Sequence, residues 1–493
     1  MKMKQIVKAV CFLALLAVTL GIVTNIFVPK WISGTSVSRL SDEFYNLPKD
    51  SVDVGIIGSS QLVNGISCAR LIDEHGISAF SCATGEQPVL VGWFYLLELY
   101  RTQHVETVIY DTSMLYEPEE ESRFRKTLDS APMSINKMKM IIERSKSEES
   151  SDFFSYVFPL LNYHTRWTSL KRDDFGYDKE HTNMFYGNIM GGGVNRKADI
   201  SKISVDNETP DESVKMDENE LRAFRKIADF CKEKDIDLIL IKTPKTTWES
   251  AKTIGCEALA EEYGLPYIDF NRLENLEAMG FDVTNDMWNQ DHLNVRGTDK
   301  LTDFLAEYLK SRKQFDDFRL SDDYDAEKIR KYQIDHANKM LQTSIHPEEY
   351  LELLQDERFE VMIQKTGDFS DAVSVSLQEK MEALGVTADL SALDGLCYVA
   401  QLRDGTPVLE LTQTEPIIME MALADGKTGA VSSNGTDEVV MAVSGRKSTF
   451  SARGLNMLVY DKQNHEIADL ATFFVNEEGV LDIMHDVKEE EEQ

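Results

Sequence analysis

The sequence predicts an α/β fold: a three-layer parallel-sheet domain behind an apolar N-terminal helix, with a mostly β domain after it. Three observations predict it. Short apolar runs alternate with amphipathic helical stretches over residues 54–313, the pattern of a parallel sheet. An uncharged run occupies residues 9–29. From residue 359 the pattern changes to short β-like runs, punctuated by Asp404-Gly405, Asn434-Gly435 and Ser444-Gly445.

Lys2, Lys4 and Lys8 precede the uncharged run, and Lys30 with Trp31 follows it. The run is long enough to cross a bilayer as a helix. The basic start puts the N-terminus in the cytoplasm and everything after Lys30 outside. A single-pass cell-membrane anchor over 1–34 is expected. A cleaved signal peptide shares the basic start and apolar core, but no small-x-small cleavage site follows.

A chain of 493 residues is long enough for two folded units beyond that anchor. Its 85 acidic against 52 basic residues give a formal charge of -33, which repels phosphate backbones and excludes nucleic acid as a partner. The first unit, 35–315, has expected strands at 54–58, 77–82, 107–110, 237–242 and 266–269. Its expected helices are 61–74, 89–101, 218–234, 247–263 and 297–313. Residues from about 117 to 217 are polar and irregular, contain Gly191-Gly192-Gly193, and read as an insertion. A charged helical connector is expected over 316–357. The β-rich domain, 358–484, has expected strands at 359–364, 395–403, 408–412, 438–443 and 455–460 and a helix at 370–384. An acidic tail, 485–493, closes the chain.

Six cysteines are few for this length, and Cys11 falls in the anchor. Their spacing suggests no zinc site. An exported chain permits Cys68–Cys82 or Cys231–Cys256 disulfides, with buried free thiols equally open.

The chemistry concentrates at two places. The first strand delivers Gly58-Ser59-Ser60 to the carboxyl edge of the sheet, where open α/β folds place their sites. A serine at a helix start also offers its own N–H to an oxyanion, although serine is favoured there as a cap in any case. The second place is Asn285-Asp286-Met287-Trp288-Asn289-Gln290-Asp291-His292-Leu293-Asn294, after the last expected strand, which returns to the same edge. Imidazole has the pKa to take a serine proton near neutral pH. His164 is the rival histidine and reads as structural or substrate-lining. Lys242-Thr243-Pro244 and Trp248 face the same edge and read either as lining a sugar or acyl site or as turn and packing residues.

Gly58-Ser59-Ser60, Gly85 and Asp291-His292-Leu293-Asn294 resemble the SGNH hydrolases, the GDSL-like esterases, over about 50–312. The resemblance implies Ser60 as nucleophile, His292 as base, and the Ser60 and Gly85 N–H groups as oxyanion donors. It is nearest to membrane-anchored envelope members of the DltD and alginate O-acetylation type, which act beside membrane-bound O-acyltransferases. Two positions depart from the family pattern. Asn289 stands three residues before the histidine, where the family has an acid, so Asn289, Asp286 or no residue at all orients the imidazole. After the third strand the chain reads Tyr110-Asp111-Thr112-Ser113 without the family's asparagine, which leaves Gln87, Thr112 or an insertion residue to complete the oxyanion hole.

In the second domain, residues 451–461 with 467–473 resemble the ILEI/PANDER-type lectin-like fold over about 358–475, which implies a carbohydrate-facing or interaction module; the alternative is a packing domain whose Arg453 and Asn456 serve turns. The function expected from these readings is an extracytoplasmic serine esterase or O-acyltransferase acting on acyl groups of a cell-envelope polysaccharide, with no cofactor and no metal. The alternative is a non-catalytic envelope assembly or carbohydrate-binding protein that keeps the fold.

Overall fold

The computed structural model describes residues 2–29, 37–129, 131–146, 153–175, 184–203, 211, 213–367, 369–434, 439–448, 450 and 453–486. Lys30, Trp31, Gly435 and the acidic run 489–492 lie outside the described residues. The chain divides into two compact units, Met1–Gly191 with Lys197–Tyr332 and Gly192–Arg196 with Gln333–Gln493.

The first unit begins with a helix, Lys2–Phe27, that is long and apolar enough to cross a membrane, and its most apolar stretch is fully exposed. A second helix, Val37–Tyr45, follows. The core is a parallel sheet of five strands: β1 (Val54–Ile57), β2 (Ala79–Ser81), β3 (Thr107–Asp111), β4 (Asp237–Lys242) and β5 (Tyr267–Asp269). Their order is β2-β1-β3-β4-β5 with every pair parallel. In that order the chain leaves β1 toward one edge and β3 toward the other, so a crevice opens between their carboxyl ends. β1 and β3 are buried along their whole length, as expected of strands covered on both faces.

The expected helix 61–74 forms as two short ones, Ser60–Val63 and Cys68–Asp73. Any side chain on Gly65 would meet the Gln61 carbonyl at 2.2 Å, and Ser67 then starts a fresh helix by accepting from the Arg70 N–H at 3.1 Å. The insertion braces this region. Asn188 Nδ2 donates to the Leu62 carbonyl at 3.0 Å, and Ile189 N–H donates to the Val63 carbonyl at 3.1 Å, capping the end of the serine helix.

Among the described residues the second unit holds ten strands: β6 (Phe359–Thr366), β7 (Cys397–Arg403), β8 (Thr406–Gln413), β9 (Ile417–Ala422), β10 (Thr428–Ser433), β11 (Val439–Val443), β12 (Arg446–Ser448), β13 (Gly454–Asp461), β14 (Glu466–Val475) and β15 (Leu481–His485). They form two antiparallel sheets, β15-β14-β13-β6-β7-β8 and β12-β11-β10-β9. Alternation along β13 explains the packing. Leu455, Met457 and Val459 join one core with the helices Pro347–Leu353 and Val375–Ala383, while Leu458 and Tyr460 join a second core with Val431 and Met441 of the smaller sheet. Asp404-Gly405 and Ser444-Gly445 each make two-residue hairpin turns with both residues at positive φ.

The structure differs from several expectations. The helical stretch 316–357 forms the helices Ala326–Gln342 and Pro347–Leu353, and the first unit ends at Tyr332 where the second resumes at Gln333. His485 belongs to β15 rather than to a tail, because its ring is held by Asp469 at 2.8 Å and by the Ser344 carbonyl at 2.7 Å. Asn456 is no turn residue: it is buried in a cross-strand ladder, donating to Gln364 Oε1 at 3.0 Å and accepting from Thr472 Oγ1 at 2.7 Å. Of the two readings open for the cysteines, the structure has the buried free thiols: Cys68, Cys82, Cys231 and Cys256 are all buried and unbridged. Titration of the unreduced chain in denaturant should therefore count all six thiols; a count of four would mean a bridge.

Candidate active site

The site starts from a glycine. Gly58, which ends the first strand run, sits at φ +150°, and a Cβ there would lie 2.5 Å from Asp111 Cβ. That closeness lets the start of the next helix reach the end of β3. Ser59 N–H donates to Asp111 Oδ2 at 3.1 Å, and Ser59 Oγ donates to the same oxygen while accepting from the Gln61 N–H. Asp111 Oδ1 accepts from Ser113 N–H at 2.9 Å and from Ser113 Oγ at 2.5 Å. The carboxylate is thus fully buried and fully hydrogen-bonded. Behind it, Gln61 Oε1 accepts from Lys242 Nζ and from Thr243 Oγ1 at the end of β4.

The histidine loop closes over this edge as a small hairpin. Met287 and Leu293 form a bridge, and Asn294 caps the helix Val295–Arg312. Gly191 packs beneath: its carbonyl accepts from Val295 N–H at 3.1 Å, and a Cβ there would meet the Leu293 carbonyl at 2.8 Å. The loop is also tied to the turn after β4, since Thr246 N–H donates to the Gln290 carbonyl at 3.0 Å and Thr247 Oγ1 to Asp291 at 3.1 Å.

These two elements bring Ser60 Oγ to 2.8 Å from His292 Nε2. On the other side of the ring, His292 Nδ1 lies 3.1 Å from Asn289 Oδ1. That amide oxygen also accepts from the backbone N–H groups of Asp291 at 2.8 Å and His292 at 2.9 Å. Two backbone donors leave no doubt which end of the amide faces the loop, because the NH₂ end would set donor against donor. Nδ1 therefore carries the proton, and the Nε2 lone pair faces the serine hydroxyl.

The other sequence candidates are placed elsewhere. Asp286 is buried and pairs with Lys300 at 2.7 Å, so its carboxylate does not orient His292; burial pushes its pKa up, with Lys300 opposing. Gln87 is buried and committed, accepting from Gly58 N–H at 3.1 Å and donating to the Cys82 carbonyl at 2.8 Å. Thr112 is buried, its hydroxyl 3.3 Å from the Ile241 carbonyl. Neither amide nor hydroxyl lines the site. Lys242 lies beneath the serine helix rather than in a substrate cleft, and burial drives its ammonium down to about 8. Trp248 packs edge-on against Tyr116 and donates to Thr253 Oγ1 at 2.9 Å, a core role. His164 is exposed in a turn beside the N-terminal helix, with Nδ1 on the Leu161 carbonyl. Gly85 does sit at the edge: Thr84 N–H donates to the Gly58 carbonyl at 3.0 Å, holding its turn against the end of β1. The N–H groups of Ser60 and Gly85 have no hydrogen-bond partner among the described residues.

Sequence reasoning missed Asp111, Ser59, Ser113 and Gly191. The available signal was a carboxylate ending an apolar strand beside two hydroxyl residues.

The His292 ring is held in its neutral form at neutral pH. Burial lowers its pKa below the ordinary histidine value, Asp291 opposes, and Lys245 and Lys242 add to the lowering. A base acts only when neutral, so activity holds above that depressed pKa and falls as pH drops through it. Any turnover of p-nitrophenyl acetate that depends on His292 should show its acid limb below the ordinary histidine value of about 6.5. Asn289→Asp should move the limb up by about one pH unit or more and raise turnover; an unmoved limb would show that position 289 does not govern the ring. Asp111→Ala, which strands two buried N–H donors, should cost about 2 kcal/mol or more in urea unfolding.

No protein-family model matches the chain, and no curated protein matches it. Among solved structures it is similar to a protein from Bacteroides fragilis provisionally named an acylhydrolase, at 10% identity over 56% of this chain and 95% of that one, with a TM-score of 0.28.

Proposed function

We propose that the chain is a membrane-anchored, extracytoplasmic serine esterase or O-acyltransferase of the SGNH type. The observation that carries this reading is the 2.8 Å contact between Ser60 Oγ and the unprotonated nitrogen of His292. Ser60 Oγ attacks the acyl carbonyl carbon while His292 Nε2 takes its proton. The Ser60 and Gly85 N–H groups stabilise the oxyanion, being donors that cost nothing to free. The carbon–oxygen bond to the leaving alcohol breaks, and Nε2 returns the proton to that oxygen. Water or a glycan hydroxyl then attacks the Ser60 ester, with Nε2 again taking and returning the proton, to release the acid or a new ester.

The substrate we assign is an acyl group on a cell-envelope polysaccharide, with the N-terminus cytoplasmic, the β-rich unit as a lectin-like module and a membrane-bound O-acyltransferase as partner. Support for the topology is the exposed apolar helix Lys2–Phe27, whose basic residues Lys2, Lys4 and Lys8 all lie at its N-terminal end. One observation favours the second reading, a non-catalytic envelope assembly or carbohydrate-binding protein: Asn289 gives the imidazolium a dipole where a triad gives it a charge. In a serine protease the Asp to Asn change costs about ten-thousandfold.

Incubation of the purified chain with a fluorophosphonate should label Ser60, and p-nitrophenyl acetate should be hydrolysed. Ser60→Ala should abolish labelling and lower turnover by about a thousandfold or more. Equal turnover by the Ser60→Ala chain, or no labelling of the native one, would leave the non-catalytic reading in place.

A further inference from the structure

We propose that residues 153–175 of the insertion form a second membrane contact, lying in the headgroup layer of the bilayer where the N-terminal helix emerges. The inference rests on the anchor reading of that helix. Its uncharged part, residues 9–27, is about 28 Å long at the α-helical rise, close to the ~30 Å hydrocarbon core. With Lys8 at one headgroup layer, Phe27 reaches the other.

The insertion is fastened at that end. The turns Leu160–Tyr163, His164–Thr168 and Arg172–Phe175 pack against the helix. Arg166 Nη1 donates to the Phe27 carbonyl at 2.5 Å, satisfying an acceptor that the helix end leaves without an internal partner. Arg166 Nη2 is held by Asp174 at 2.8 Å, so the guanidinium is a fixed strut between helix and insertion. A segment bonded to Phe27 sits at the depth of Phe27.

Its surface fits that depth. Phe154, Phe158, Leu161, Trp167 and Phe175 are each more than half exposed to water in the absence of a membrane. Over 153–175 the segment carries Arg166, Lys171 and Arg172 with His164, against Asp173 and Asp174, and Asp174 is committed to Arg166. Exposed aromatic rings together with basic side chains are what the bilayer interface selects. What faces this patch is lipid, because the bond to Phe27 fixes it at the edge of the bilayer. Trp167, 70% exposed, is the most conspicuous member.

The test uses the full chain in vesicles of phosphatidylethanolamine and phosphatidylglycerol, with a phospholipid brominated on its acyl chains as the tryptophan quencher. Trp167→Phe should remove a quenched component of about one tryptophan's share of the chain's five, while fluorophosphonate labelling at Ser60 stays unchanged. An unchanged quenched component, in a chain that stays with the vesicles through an alkaline wash, overturns the second contact and leaves the anchor standing. Shielding of Trp167 from aqueous acrylamide without lipid quenching identifies a protein contact instead and also overturns it. Loss of the chain from the vesicles in the wash refutes the anchor and this inference with it.

Discussion

The Asp111 carboxylate joins the ends of β1 and β3, and the geometry of the site follows from that junction. A buried charge is tolerated only when its lone pairs are filled, and here Ser59 and Ser113 each supply a backbone and a hydroxyl donor. The donors belong to the two chain segments that diverge at the reversal in strand order. Holding them on one carboxylate sets the distance between them, and so the position of the helix that begins at Ser60. Gly58 is the condition for this approach, since a side chain there would occupy the space of Asp111 Cβ. Ser113 Oγ, 2.9 Å from Gln61 Oε1, and Lys242 Nζ on that same oxygen extend the tie to the end of β4.

Much of the sheet was legible in the sequence because buried parallel strands are short, nearly continuous apolar runs bounded by turns. Residues 237–242 and 218–234 read off with the observed bounds of β4 and the helix before it. Elements that lean on tertiary contacts were harder. β10, Thr-Gly-Ala-Val-Ser-Ser, has Val431 as its only large apolar residue and is a strand because β9 and β11 flank it. The break at Gly65 depends on space, which no periodicity reports. At the site, the serine and histidine were legible because strand order alone returns both to one edge. Gln87, Thr112, Lys242 and Trp248 lie near that edge in sequence but bury their polar atoms in brackets between strand ends, a distinction carried by side-chain direction.

The electrostatics around His292 are those of a base without a counter-charge of its own. The carboxylate nearest in sequence, Asp291, is engaged by Thr247 and lies 3.5 Å from Lys245. Asp286 is spent on Lys300. Asn289 fixes the ring's tautomer and direction but contributes only a dipole, so the protonated ring is stabilised less than in a carboxylate triad. Orientation and charge compensation, which one aspartate supplies together in many serine enzymes, are separated in this chain.

The Met287–Leu293 bridge bears on time as well as on place. Asn289 and His292 are three residues apart and orient each other within the closed hairpin, so the imidazole's rotational freedom is surrendered when the loop forms rather than when a ligand arrives. Entropy lost at that stage belongs to folding, and none of it is subtracted again from the encounter with a ligand.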